Sequence, residues 1–350
     1  MMISPRWRKI ISDLLSNKGR TLLVILSIAV GVFAVGFVMT SFDILLTDMN
    51  NDYLASSPHE GVLYISPVTE DDLAPLRRVT GVEQIEGRSS YMGRVNVSST
   101  QKAMANIIGI NKVDEMQIDQ IKPAQEGEVI PALGDREVLL ERSVMSVLNL
   151  KVGDYLRVED VSNSNHAREL KVVGYVHDVN APPYIFAQMI NGYVNRDTVE
   201  WLGGSTDYSQ LYITVKENKT DEQHVKDIAG DVSDKLEKAG VDIYYTQVYQ
   251  PGRHWAADIT NALSIIMGIL GALSVFLSAF LVVNTINSLL AQQIRQIGMM
   301  KAIGGQQNQI AIMYLFMVAG FGLMALLIAM PISTLLGYGT AVLIANLLNF

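Results

Sequence analysis

Hydrophobic positions along the chain form three long runs, with a mixed polar and apolar region between the first run and the second. The runs cover residues 21 to 42, 259 to 294 and 302 to 350, and the last contains no Asp, Glu, Lys or Arg. Each is long enough to cross a hydrocarbon core as a helix, which takes about 20 residues. The pattern therefore predicts a membrane protein with a large insert between its first and second spans.

Basic residues mark the orientation of these spans. Five precede the first run and two separate the second from the third: Arg6, Arg8, Lys9, Lys18, Arg20, Arg295 and Lys301. The positive-inside rule places both groups in the cytoplasm and the insert outside. The insert, residues 43 to 258, holds 34 of the 35 acidic residues with 20 basic ones, as expected for a solvated domain. A cleavable signal peptide is the alternative for the first run, but the run is longer than a signal core and no small-residue cleavage site follows it.

Strand and helix patterns alternate within the insert. The segment 61 to 66 reads as a strand and Glu70 to Val79 as a helix, and near the far end an amphipathic helix over 221 to 239 lies between strands 210 to 216 and 241 to 247. The centre is richer in strand patterns. We therefore predict an α+β extracytoplasmic domain of two lobes, one from residues 43 to 112 plus 207 to 258 and a β-rich one from 113 to 206.

The remaining segments complete the predicted topology. Residues 1 to 20 read as an amphipathic helix on the inner membrane surface, and the predicted spans cover 21 to 42, 259 to 290 and 309 to 335. Residues 291 to 308 form a polar cytoplasmic element, and 336 to 350 read as an apolar outer connector. Alternatively, Leu335 to Phe350 is a re-entrant segment. Small residues predict close contact between spans, although ordinary membrane composition also explains them: Ser27, Gly31, Gly271 and Ser274.

Residue patterns for catalysis are absent from the sequence. The chain has no Cys, its five His residues lack metal-ligand spacing, and it contains neither a G-x-S-x-G nor a P-loop motif. His177-Asp178 is the best candidate pair, and a solvated loop is its simpler interpretation. We expect no catalytic, cofactor or metal site in the chain. The acidic balance gives no reason to expect a nucleic-acid partner.

Three segments resemble one family of transport proteins. VVNTINSLLAQQIRQIGMMKAIGGQQNQI (282 to 310) is similar to the coupling region of MacB/FtsX-type ABC transporter permeases, and NKGRTLLVILSIAVGV (17 to 32) is similar to their opening segment. LNLKVGDYLRV (148 to 158) with LKVVGYVHDV (170 to 179) resembles their β-rich extracytoplasmic lobe. One position departs from the pattern, because Gln296 stands where the family usually has an acidic residue.

The resemblance implies a function and partners. Such a permease has four spans, works as a dimer with a second copy or a homologous half in the bacterial inner membrane, and transmits movement from a cytoplasmic ATPase that binds the ATP. The fourth span is absent from these residues, as in the front part of a longer permease. The expected ATPase contact comprises Arg295, Gln296, Met299, Met300 and Lys301. Membrane lipid and an extracytoplasmic protein are further expected partners. A regulator of a cell-wall hydrolase and a membrane-anchored sensor are the alternative functions.

Overall fold

The computed structural model describes residues 18 to 350 except 99, 126, 164, 165, 249, 303 and 305. The predicted interfacial helix over 1 to 20 therefore lies outside the described residues, apart from its last three positions. The chain divides into two compact units. One contains the chain up to Thr47 with Asp258–Ile344, and the other contains Asp48–Ala257 with Ala345–Phe350.

The regular elements follow one another in this order along the chain. They are α1 (Lys18–Phe42), a π-helical turn (Asp43–Asp48), α2 (Met49–Ala55), β1 (Gly61–Val68), α3 (Glu70–Leu76), β2 (Val82–Asn96), β3 (Lys102–Ile110), a 3₁₀ turn (Val113–Glu115), β4 (Lys122–Pro123), β5 (Glu137–Glu141), a 3₁₀ turn (Arg142–Val144), α4 (Met145–Leu148), β6 (Tyr155–Asp160), β7 (Ala167–His177), α5 (Tyr184–Ala187), β8 (Met189–Asn195), α6 (Arg196–Leu202), β9 (Tyr208–Val215), α7 (Glu222–Lys238), β10 (Ile243–Gln247), α8 (Ala257–Ala302) and α9 (Gln307–Leu348).

Among the described residues, the first unit contains three apolar helices. Stretches long and apolar enough to cross a membrane cover Thr21–Ala55, Ala257–Arg295 and Gln307–Leu348. The helices run further than the predicted spans. In particular, α9 passes through Pro331 and ends at Leu348, where the sequence predicted a connector from residue 336. Proline is tolerated inside such apolar helices because neighbouring groups compensate for its missing N–H.

Packing in the first unit joins α1 to α9. The buried residues of this contact are Val24, Ile25 and Ala29 on α1 and Met317, Phe321, Ala325 and Ala329 on α9. The four on α9 recur every four residues, and Ile25 and Ala29 are also four apart on α1, so one stripe of each helix faces the other. Large apolar side chains elsewhere on these helices, such as Leu315 and Leu327, are exposed, which suits a lipid surrounding.

The second unit is built on one ten-stranded sheet. Its strand order is β10-β1-β9-β2-β3-β8-β5-β7-β4, and β6 pairs with both β2 and β7. The pairs β3–β8 and β5–β7 are parallel and the other pairs are antiparallel. The predicted class, apolar helices flanking a large α+β domain, is confirmed.

Two hydrophobic clusters divide this unit into halves. The first half packs α3 and α7 on β1, β9 and the start of β2, and α7 buries Val225, Ile228, Val232 and Leu236. The second half, which we call the β-rich half, contains the end of β2 together with β3 and β5 to β8. The predicted boundary between the lobes, at residue 113, differs from this arrangement. Strand β2 runs unbroken through both halves, and β3, which pairs with its end, belongs to the β-rich half.

Candidate coupling sites

Small residues bring α1 and α8 into close contact at one point. The Ser278 hydroxyl donates a hydrogen bond to the carbonyl oxygen of Ser27. A Cβ atom added at Gly31 would lie 2.8 Å from Oγ of Ser278 and 2.9 Å from its Cβ. Because real Cβ atoms do not approach that closely, only glycine fits at residue 31 without a shift of the helices.

The other predicted packing positions differ in how they contribute. A Cβ at Gly271 would lie 3.1 Å from a methyl group of Val38, so this glycine also faces α1. The Ser274 hydroxyl instead donates to Leu270 of its own helix, at 2.9 Å. Sequence reasoning missed a second contact, where Gly36 on α1 faces Ser333 on α9 and an added Cβ would lie 2.4 Å from Oγ of Ser333. The signal was present as small residues on both helices.

The cytoplasmic element predicted at 291 to 308 consists of the last turns of α8 and a short turn. Gly304 has φ of +92°, a left-handed conformation that glycine adopts without strain. Tyr314 on α9 donates a hydrogen bond of 2.5 Å to Oε1 of Gln293 on α8. Arg295, Met299 and Lys301 are exposed and Met300 is half-buried, whereas the side chain of Gln296 is outside the described residues.

The two basic residues of this element lie without an ion pair in the part of the chain that the structure describes. Arg295 and Lys301 form no ion pair with any residue that the structure describes. Met299 exposes 56% of its surface. Flexible thioether side chains beside these two basic residues suit contact with another protein, since Met adapts to irregular surfaces.

Charged groups are buried in the second unit. Arg88 is only 2% exposed, and its guanidinium donates to the carbonyl of Ile118 at 2.5 Å and lies 3.2 Å from Glu86. Asp119 accepts a hydrogen bond of 2.7 Å from Nδ1 of His59. Burial alone lowers the pKa of His59, but the Asp119 carboxylate outweighs it and raises that pKa above its usual value. The Arg88 bond holds the segment at Ile118 against β2, and the His59–Asp119 pair joins the segment before β1 to the one after the first 3₁₀ turn.

The interpretation of His177-Asp178 as a solvated loop pair is wrong. Both residues are only 6% exposed. Burial and the nearby Arg142 guanidinium lower the pKa of His177 to about 4, and burial raises the pKa of Asp178. Sequence reasoning missed this because an HD dipeptide after a strand gives no sign of what covers it. Among the described residues, no group of three or more His, Asp or Glu could hold a metal ion.

Comparison with known proteins assigns this arrangement of apolar helices flanking an α+β domain to a family. Residues 21 to 230 match the MacB-like periplasmic core domain, and residues 268 to 349 match the FtsX-like permease C-terminal domain. The chain belongs to the MacB/FtsX-type family of ABC transporter permeases. It is a membrane protein with an extracytoplasmic domain, and members of this family work with cytoplasmic ABC ATPases.

Solved structures add two distant similarities. The extracellular domain of the noncanonic ABC-type transporter YknZ from Gram-positive bacteria is 13% identical, with a TM-score of 0.34, over 53% of this chain and 98% of that one. The periplasmic region of MacB from Actinobacillus actinomycetemcomitans is 12% identical, with a TM-score of 0.35, over 62% of this chain and 97% of that one. No curated protein matches the sequence significantly.

Proposed function

We propose that the chain is the permease subunit that converts ATP hydrolysis by a separate cytoplasmic ATPase into movement of its extracytoplasmic domain. That movement would drive export or extraction of a substrate. The observation that carries the proposal is the length of α8, an unbroken helix of 46 residues. At 1.5 Å per residue it measures about 69 Å, more than twice the roughly 30 Å hydrocarbon core.

The length of α8 supports a mechanical role because a continuous helix transmits displacement along its axis. Its N-terminal end follows β10 by nine residues of chain, and its C-terminal end carries Met299 and Lys301. No residue in the predicted spans 21 to 42, 259 to 290 or 309 to 335 is charged, so nothing marks a path for ions through them. The family comparisons do not favour the hydrolase regulator or the sensor that the sequence left open.

The partners follow from this proposal. The ATPase binds the ATP, and it contacts Arg295, Gln296, Met299, Met300 and Lys301. A second permease copy or a homologous half completes a dimer in the bacterial inner membrane, with the N-terminus in the cytoplasm. Lipid surrounds the exposed apolar side chains, and an extracytoplasmic protein is a further proposed partner. Packing through Ser27, Gly31, Gly271 and Ser274 would keep the helices moving together.

A substitution at the cytoplasmic end tests the proposal. Replacing Met299 and Met300 by Asp places unpaired charge in the proposed contact, where desolvating it is costly. We expect ATPase binding and stimulation to fall at least tenfold, about 1.4 kcal/mol, while membrane insertion stays normal. Val129→Asp is the matched control, since Val129 is an 89% exposed apolar residue of the extracytoplasmic domain. A double variant that binds its ATPase as tightly as the Val129→Asp chain contradicts the assignment.

A further inference from the structure

Four consecutive residues at the end of β7 bond to the segments that continue all three spans. We call residues 177 to 180 the junction segment. The Asn180 amide donates to the hydroxyl oxygen of Ser56, directly after α2, at 3.1 Å. His254, just before α8, donates from Nε2 to the carbonyl of Val179 at 2.9 Å. His177 donates from Nε2 to the carbonyl of Asn349, directly after α9, at 2.9 Å.

Asn349 is held in a polar socket. The residue is only 3% exposed, its Nδ2 donates to Glu141 at 2.7 Å, and its Oδ1 accepts from Nε of Arg142 at 2.7 Å. The same Nδ2 lies 3.4 Å from the carbonyl of Asp178. The backbone φ of +60° is a left-handed conformation that asparagine tolerates better than most residues. Both polar atoms of this side chain therefore have partners, and removing it would leave buried groups unsatisfied.

The junction segment is itself fixed to the β-rich half. His177 is the last residue of β7 and pairs with Lys122 of β4. The Asp178 carboxylate accepts hydrogen bonds from the Tyr193 hydroxyl on β8 and, at 2.9 Å, from the backbone N–H of Asn180. Because both β7 and β8 hold the segment, it cannot move without moving the sheet.

The order of the elements along the chain leaves the β-rich half without a direct covalent link to the first or second span. The segment after the first span enters β1, and the segment before the second leaves β10, and both strands belong to the first half of the domain. The β-rich half is inserted between them in sequence, so it has no direct covalent link to either span. Its contacts with the span ends are noncovalent. Strand β4 adds to them, through the ion pair of Lys122 with Asp52 at 2.5 Å.

We propose that the junction segment transmits displacement of the three spans to the β-rich half. Asn180, His254 and Asn349 act as positioning residues, each holding the end of a different span. The inference rests on the proposed function, which supplies the displacement. It goes further by naming the point where movement passes into the half of the domain that no span enters directly.

The bonds themselves can be tested without the ATPase. In the full chain in lipid nanodiscs, we expect Asn180→Ala to speed amide hydrogen exchange of the peptide over 174 to 180 roughly tenfold, the effect of one lost buried hydrogen bond, and Asn349→Ala to speed it by at least about as much. Thr340→Ala is the control, because that hydroxyl donates only to Leu336 of its own helix. Unchanged exchange of the peptide in both variants would overturn the junction. Hydrogen exchange of β3 and β8 reports whether a variant is folded. If Asn349→Ala does not fold, Asn180→Ala still provides the test.

Transmission requires a second measurement with the ATPase that co-purifies with the full chain. The chain has no Cys, so spin labels at Val152→Cys in the β-rich half and Lys238→Cys at the end of α7 report the distance between the halves. We expect ATP with vanadate to shift this distance in the wild-type background and in Thr340→Ala. In Asn349→Ala and Asn180→Ala the shift should fall by at least about half, with ATP hydrolysis retained.

The outcomes separate the two ideas. A wild-type shift that persists in full in both variants overturns the junction and leaves the proposed function standing. No ATP-dependent shift in any chain, or no co-purifying ATPase, overturns the proposed function and the junction with it. A shift lost together with ATP hydrolysis also overturns the junction, because these residues would then act on the ATPase.

Discussion

Replacing Gly31 by Ala should weaken the contact between α1 and α8. The new Cβ would lie 2.8 Å from Oγ of Ser278, so the helices must separate or the serine must give up its hydrogen bond to Ser27. Overpacking of this kind costs about 1–3 kcal/mol. Alanine also favours a helix over glycine by about 1 kcal/mol, which offsets part of the cost.

A matched glycine isolates the steric contribution. Apart from its chain neighbours and the backbone of its own helix, no described atom lies within 4 Å of a Cβ added at Gly320 on α9, so Gly320→Ala gains helix propensity without a clash. We expect the Gly31→Ala chain to be less stable than the Gly320→Ala chain by about 1–3 kcal/mol. Reversible unfolding of the full chain in bicelles, followed by steric trapping, measures this difference.

A second substitution tests the cause. Ser278→Gly removes the Oγ and Cβ atoms that the new methyl group would meet, so Gly31→Ala should cost much less in that background than in the wild type. Equal stability of the Gly31→Ala and Gly320→Ala chains would refute the close contact. The close contact would also be refuted if Gly31→Ala lowered the free energy of unfolding equally in the wild-type and Ser278→Gly backgrounds.

Three further outcomes are expected. Arg88→Met should destabilise the extracytoplasmic domain by about 3 kcal/mol in chemical denaturation, whereas Arg77→Met, at an exposed ion pair, should cost under about 1 kcal/mol. Burial lowers the pKa of His254 to about 4, so between pH 6.5 and 4 the unfolded chain binds a proton more readily than the folded one. Over that range the free energy of unfolding decreases as the pH decreases. When the pH is lowered from 7 to 5, the free energy of unfolding of His254→Gln should therefore decrease by about 2 kcal/mol less than that of the wild type. The comparison cancels the opposite trend of Glu60, whose pKa burial raises to about 7, because Glu60 is present in both chains. A membrane-impermeant reagent should reach a label at Asn163 only from outside and one at Gly305 only from inside, and labelling of both from one side would contradict the topology.

The apolar runs and the strand and helix patterns of the insert could be predicted from sequence because each rests on local periodicity. The helix over 221 to 239 differs by only one residue at each end from α7, where Asp221 caps the N-terminus by accepting from two backbone N–H groups. The end of α9 was harder to predict, since Pro331 normally stops a helix in water and the compensation inside an apolar bundle is a tertiary effect.

The junction segment could not be predicted from sequence for a different reason. Asn180 and Asn349 stand 169 positions apart in the printed sequence, and nothing local to either predicts that both serve one buried cluster. A polar residue at the end of a charge-free stretch, as Asn349 is, was the available signal. By contrast, the close contact at Gly31 was visible as a small residue on an apolar helix, although which serine it meets depends on the packing of α8.

The pairing of β1 with β9 and β10 has a consequence for how the protein is made. Residues 61 to 64 of β1 bond to residues 210 to 213 of β9 and to β10 beyond it, so β1 has no partner until its far neighbours are synthesised. At 5–20 residues per second, the roughly 150 intervening residues take about 8–30 s to emerge. The paired strand residues of the β-rich half all lie between residues 89 and 195, so all of them are synthesised before β9 and β10. Biogenesis should therefore begin in the middle of the domain, with an unpaired strand next to the first span exposed to chaperones until the end of the insert crosses the membrane.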